Sequence, residues 1–137
     1  MDVLSFSTIA GIIKNEINRK CGLNLSQTRI LLYFYHNGNT ALKMGDLAEK
    51  LKISLSTLSR QLQQKKTMSF VTIKRSESDS SKTVVLNDQG LEKISELRNV
   101  LKEIEESLLH GLTEQEIKTF DQIFTKLVQK TKETSSL

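Results

Sequence analysis

The chain has 137 residues, with 20 Lys and Arg against 16 Asp and Glu, one Cys, and neither Pro nor Trp. That length lets roughly two thirds of the unfolded chain's surface be buried, so one domain can fold without a disulfide framework or a structural metal. With 37% apolar and 26% charged residues the composition is not that of a disordered chain, and the longest uncharged apolar run, Ile30–Phe34, is too short to span a bilayer. Asp2, Ser5, Ser7 and Thr8 interrupt the start in a way a secretion signal does not. The expectation is a single cytoplasmic domain, 1–137, with no membrane partner.

Val3, Phe6, Ile9, Ile13 and Ile17 recur at spacings of three and four, which predicts an amphipathic helix from about 3 to 20, ended by Cys21 and Gly22. Ser26 stands where an N-cap would, ahead of Ile30, Leu31, Leu32, Phe34 and Tyr35, and Asn37-Gly38-Asn39 breaks that second, largely buried helix. A third helix runs from about Lys43 to Leu51, with Met44, Leu47, Ala48 and Leu51 on one face. After the short link Lys52-Ile53, Ser54 caps a fourth, whose apolar stripe is Leu55, Leu58 and Leu62.

The period then drops from 3.6 to 2. Phe70, Val71 and Ile73 form one strand, 76–81 has turn composition, and Thr83, Val84, Val85 and Leu86 return as a second strand. Asn87 caps a long helix with the seam Leu91, Ile94, Leu97, Leu101, Ile104 and Leu108, a pattern that calls for a partner helix. Gly111 closes it. Thr113-Glu114-Gln115-Glu116 is a capping box opening a last helix with Ile117, Phe120, Phe124, Leu127 and Val128 inward, and Thr134-Ser135-Ser136-Leu137 is expected to fray.

Two closely spaced short helices followed by a hairpin make a mainly α fold with a minor β part: a winged helix-turn-helix with flanking helices. The reading lobe is 25–86, and the helices at 1–20 and 88–132 are expected to dimerise. Charge follows this division. Residues 1–42 carry four positive and two negative charges, 43–82 nine and four, and 83–137 seven and ten. The excess of cations falls on the lobe, as a localised polyanion-binding surface requires.

At about 100° per residue, Leu55, Leu58 and Leu62 turn Ser56, Arg60, Gln63 and Thr67 outward on the fourth helix, with Thr57, Ser59 and Gln64 flanking. Hydroxyls and amides suit phosphates or adenine edges, and Arg60 suits a guanine edge or a phosphate. Ser56, Thr57, Ser59, Arg60, Gln63 and Gln64, with the cap Ser54, are the expected DNA-binding residues, joined by Lys74, Arg75 and Lys82 on the hairpin. Lys43, Lys50 and Lys52 are expected beside phosphates. Lys65 is expected to lay its stem on the buried side and its ammonium outward.

The pattern resembles the MarR family, the multiple antibiotic resistance regulators of bacteria. Leu25-Ser26 matches the family's Leu-Thr opening of the second helix, Leu47-Ala48 its third-helix pair, and Ser56-Thr57-Leu58-Ser59-Arg60 its recognition-helix start. Phe70-Val71, Asp79, Leu86-Asn87 and Gly90 match pieces in and after the wing. The resemblance implies a homodimeric transcriptional regulator, a repressor on a palindromic double-stranded operator, relieved by a small-molecule effector. Three positions depart from it: Ser81 stands where the wing Arg is usual, Ser69 where Gly is, and Lys65 where an apolar residue is. The missing wing Arg leaves one alternative, a winged-helix protein-interaction module, an anti-regulator that binds another regulator in place of DNA.

Tyr33, Tyr35 and His36, in an aromatic cluster with Phe34, could wall a pocket for an aromatic acid, with core packing as the default. Cys21 could serve as a redox switch, although a lone cysteine is more often a small buried side chain. With His36 and His110 as the only histidines, no metal site and no cofactor are expected. No glycine-rich phosphate loop or Ser/His/Asp set is present, and Glu103, Glu105 and Glu106 lie on a charged helix exterior, so the chain is not expected to be an enzyme.

Overall fold

The computed structural model describes residues 1–133. The end expected to fray, Thr134-Ser135-Ser136-Leu137, lies outside the described residues. The chain divides into two compact units, Met1–Lys102 and a second beginning at Glu103.

In the first unit, α1 (Ser5–Cys21) and α2 (Leu25–His36) precede a two-residue strand β1 (Leu42–Lys43), then α3 (Met44–Leu51), α4 (Leu55–Gln63) and a short turn of helix α5 (Lys65–Met68). Strands β2 (Val71–Arg75) and β3 (Lys82–Leu86) form the wing, and α6 (Asp88–Leu108) follows, belonging to the first unit as far as Lys102. The sheet is antiparallel in the order β1-β3-β2, with Leu42 opposite Val84 and with Val71 opposite Leu86. This is the winged helix-turn-helix that the apolar periods predict. Its core joins Leu23, Ile30, Leu31 and Phe34 to Leu47, Leu58, Leu62, Val84, Ile94 and Leu97, all buried.

Local chemistry sets the element ends. Gly22 closes α1 in the left-handed region at φ 69°. The N-cap of α2 is Asn24, not Ser26: its side chain accepts from Gln27 N–H, while the Gln27 side chain accepts from Asn24 N–H. Ser26 lies two residues past the cap, inside the first turn, and its hydroxyl instead donates to Asn24 Oδ1. Ser54 caps α4 as expected, accepting from Thr57 N–H.

Three expected orientations are corrected. Leu55 does not share the buried stripe of α4; as the first residue of the helix it is 53% exposed, and the stripe is left to Leu58 and Leu62. Thr67 is not outward, and Lys65 does not lie on the buried side. The wheel drawn through α4 assumes an unbroken helix, whereas Gln64 is extended at φ −63°, ψ 130° and a new turn starts after it. The change of phase carries Thr67 inward to 1% exposure and leaves Lys65 exposed.

The strand β1 escaped the sequence reading. Asn39, at φ 56°, places it: its side chain accepts from Leu86 N–H and donates to Leu86 O, continuing the β3 ladder. At the start of α6, Asn87 accepts from Gly90 N–H and its own N–H donates to Phe70 O. Ile94, Leu97 and Val100 of α6 are buried, while Leu91, expected in the same seam, is exposed.

In the second unit Gly111, at φ 92°, turns the chain, and Thr113 and Glu116 form the expected capping box at the start of α7 (Glu114–Glu133). The residues expected inward on α7 are corrected: Phe120, Phe124, Leu127 and Val128 are exposed, with Phe124 at 45%. Periodicity reports an apolar face without telling whether this chain or another covers it.

Candidate nucleic-acid interface

The hydroxyls at the start of α4 form one connected group. Ser54 Oγ takes Thr57 N–H at 3.1 Å and gives its proton to Thr57 Oγ1 at 2.8 Å, so the 3.1 Å contact between the Ser56 and Ser54 hydroxyls runs from Ser56. Arg60 Nη2 donates to the same Thr57 Oγ1 at 3.4 Å. Ser54, Ser56, Thr57 and Arg60 are thereby brought together. Ser59 is half-buried beside them, Gln63 is exposed at the helix end, and Gln64 marks the break.

The hairpin carries the other cations. Arg75 faces Lys82 and Lys74 faces Thr83 across the ladder, and all three cations are exposed. The tip is closed by Ser76 N–H donating to Ser81 O at 2.8 Å. Ser81, standing at the position of the missing arginine, turns its backbone N–H and hydroxyl onto the Asp79 carboxylate. Those bonds from Ser81 to the charged form, with a smaller contribution from the Lys43 ammonium, hold the Asp79 carboxyl below the usual range. Lys43, Lys50 and Lys52 are exposed. Lys52 occupies the left-handed C-cap of α3 at φ 57°.

The other sequence-stated candidates lie apart. Tyr33 packs edge-on against Phe34, whereas Tyr35 packs against His36 and beneath the Arg98 guanidinium, 4.4 Å from its ring centre. Arg98 was missed because it is far along α6, and only the fold brings it over Tyr35. Cys21 is 4% exposed at the end of α1. Among the described residues no cluster of three or more His, Cys, Asp or Glu could hold a metal, and no helix is long and apolar enough to cross a membrane.

A second contribution missed from the sequence is a pair of ties between the α1–α2 corner and α5. Lys66 Nζ donates to Gly22 O, and the buried Gln27 donates to Thr67 Oγ1 at 3.3 Å. A single local window shows neither, because the partners are 44 and 40 residues apart.

Residues 22–80, from the α1–α2 corner to the wing tip, match the MarR family. No curated protein matches the chain. Among solved structures, MarR is 21% identical with a TM-score of 0.81, over 94% of this chain and 96% of that one. A Staphylococcus aureus MepR–DNA complex is 20% identical with a TM-score of 0.76, over 95% and 97%. The heme sensor PefR of Streptococcus agalactiae, solved with heme, is 20% identical with a TM-score of 0.68, over 93% and 88%. At such identities the likeness is one of fold.

Proposed function

From a winged helix whose residues 22–80 match the MarR family, we propose that the chain is a transcriptional regulator, not an enzyme: a homodimer that binds a palindromic double-stranded operator and represses. The observation that carries this reading is the hydrogen-bonded set at the start of α4, in which Ser54, Ser56 and Arg60 are exposed and Thr57 is half-buried beneath them in the network. A recognition helix meets base edges with its N-terminal residues, and hydroxyls with an arginine fork can address phosphate and base acceptors there. The exposed cations Lys74, Arg75 and Lys82 on the hairpin supply phosphate contacts beside the groove. MepR, similar in fold and solved as a complex with DNA, supports DNA as the partner.

The reading extends to a small-molecule effector, with the exposed Tyr35, His36 and Arg98 offering aromatic faces and a cation to an aromatic acid. Selection of bound sites from random duplexes, followed by titration at several salt concentrations, tests the DNA-binding function. The expected outcome is two inverted half-sites about one helical turn apart, roughly 10 base pairs, and a linear fall of log affinity with log salt. No duplex bound even at low salt, with a partner regulator co-purifying, would replace it by the interaction-module reading.

A further inference from the structure

Thr57 Oγ1 has two lone pairs and one proton, and its two acceptor positions are occupied by Ser54 Oγ and Arg60 Nη2. Ser54 is itself fixed, because its oxygen takes Thr57 N–H and the Ser56 hydroxyl. The polarity of the chain Ser56→Ser54→Thr57←Arg60 is therefore determined. Arg60 is exposed on a helix surface, and no carboxylate pairs with it among the ion pairs of the described residues. A long side chain in that position samples many rotamers unless something holds it. Here the hold is one turn back along its own helix.

We infer that Thr57 is a positioning residue for Arg60: its hydroxyl, fixed in place by the Ser54 cap, holds the guanidinium fork on the outer face of α4 before DNA arrives. One Nη2 proton is committed to Thr57, which leaves Nε–H, the second Nη2 proton and the Nη1 pair for an acceptor edge such as guanine O6 and N7. Holding the fork in advance removes ordering cost at the moment of contact. Its effect falls on sequence choice, because random DNA is held through phosphates that many cations can reach. This inference rests on the DNA-binding reading above.

The test compares the wild type with Thr57→Val, Thr57→Ser, Arg60→Ala and the double variant Thr57→Val/Arg60→Ala, against the selected operator and a scrambled duplex. Thermal unfolding of each variant checks that the fold is kept. Thr57→Val, which keeps the branched shape and loses the acceptor, should lower the operator-to-scrambled ratio by about three- to tenfold, the worth of one ordinary hydrogen bond. Thr57→Ser should retain the ratio. In the Arg60→Ala background Thr57→Val should cost nothing more, because a positioning residue acts only through its partner. An equal loss in both backgrounds overturns the inference, since Thr57 would then contact DNA itself; so does an unchanged ratio in Thr57→Val. Relaxation of the Arg60 Nε signal in the DNA-free protein gives a separate readout, with an ordered side chain in the wild type and a mobile one in Thr57→Val. Equal mobility in the two rejects the positioning role whether or not DNA binds, whereas failure of the wild type to bind any duplex rejects the DNA-binding reading.

Discussion

Arg60 and Lys82 sit on different elements and have different chemistry. Arg60, a planar fork on α4, can distinguish one acceptor edge from another, while Lys82, a point charge on the wing, cannot. Arg60→Ala should cost about 1 to 3 kcal/mol at the preferred operator and relax discrimination there, whereas Lys82→Ala and Arg75→Ala should weaken operator and scrambled duplex alike and flatten the salt slope by about one per lost phosphate contact. Titrations at several salt concentrations separate these; loss of discrimination in Lys82→Ala with retention in Arg60→Ala would reverse the roles. Asp79 invites a second measurement. Because bonds from Ser81 favour its charged form, its folded pKa lies below the unfolded one. Its contribution to the wing tip is then fully present above the unfolded value and is lost as pH falls through the folded value. A carboxyl NMR titration should place the Asp79 midpoint below the ordinary aspartate value of about 3.9, and Ser81→Ala should raise it towards that value. An unmoved midpoint would mean that Ser81 does not hold the tip.

The first turn of α6 lies so close to the segment entering the wing that a Cβ on Gly90 would collide with the Phe70 carbonyl oxygen. That same oxygen accepts from Asn87 N–H at 3.0 Å, so it has little freedom to withdraw. Gly90→Ala should therefore destabilise the first unit by about 1 to 3 kcal/mol in denaturant unfolding, as overpacking does; a neutral result would show that α6 can shift on β2. The sequence made Gly90 noticeable only through the family resemblance, and the long elements were legible for a different reason. Helices α1, α2, α6 and α7 and the two wing strands repeat their apolar residues over enough turns for the period to register. Strand β1 has two residues and owes its place to Asn39 bonding Leu86, 47 positions away. The break at Gln64 carries no Gly or Pro to announce it, and a wheel drawn across it misplaced Lys65 and Thr67. For the site, Ser54, Ser56, Thr57 and Arg60 were readable because capping and a short helix place them locally, while Arg98, Gln27 and Lys66 gain their partners only when distant elements pack.

Both units leave apolar side chains uncovered. Phe6, Ile9 and Ile12 are exposed on α1, and Phe120, Ile123, Phe124 and Leu127 on α7, where the rings of Phe120 and Phe124 stack at 5.6 Å. Patches of this kind on a small chain mark association surfaces. Sedimentation equilibrium should give a dimer of the 15.6 kDa chain at micromolar concentration, and Phe124→Glu should shift it towards monomer with loss of thermal stability. A stable wild-type monomer would remove the two-fold operator geometry along with the dimer. The sheet order adds a different consequence. With β3 in the centre, β2 has a strand neighbour on one side only; the Asn87 amide covers the Val71 carbonyl, and beyond it the strand presents its free edge and the exposed Ile73 to any extended chain. Charges on such an edge oppose edge-to-edge pairing, and β2 carries the exposed Lys74 and Arg75, so a variant with both neutralised is expected to aggregate more readily than the wild type, a result that light scattering reads independently of any DNA titration.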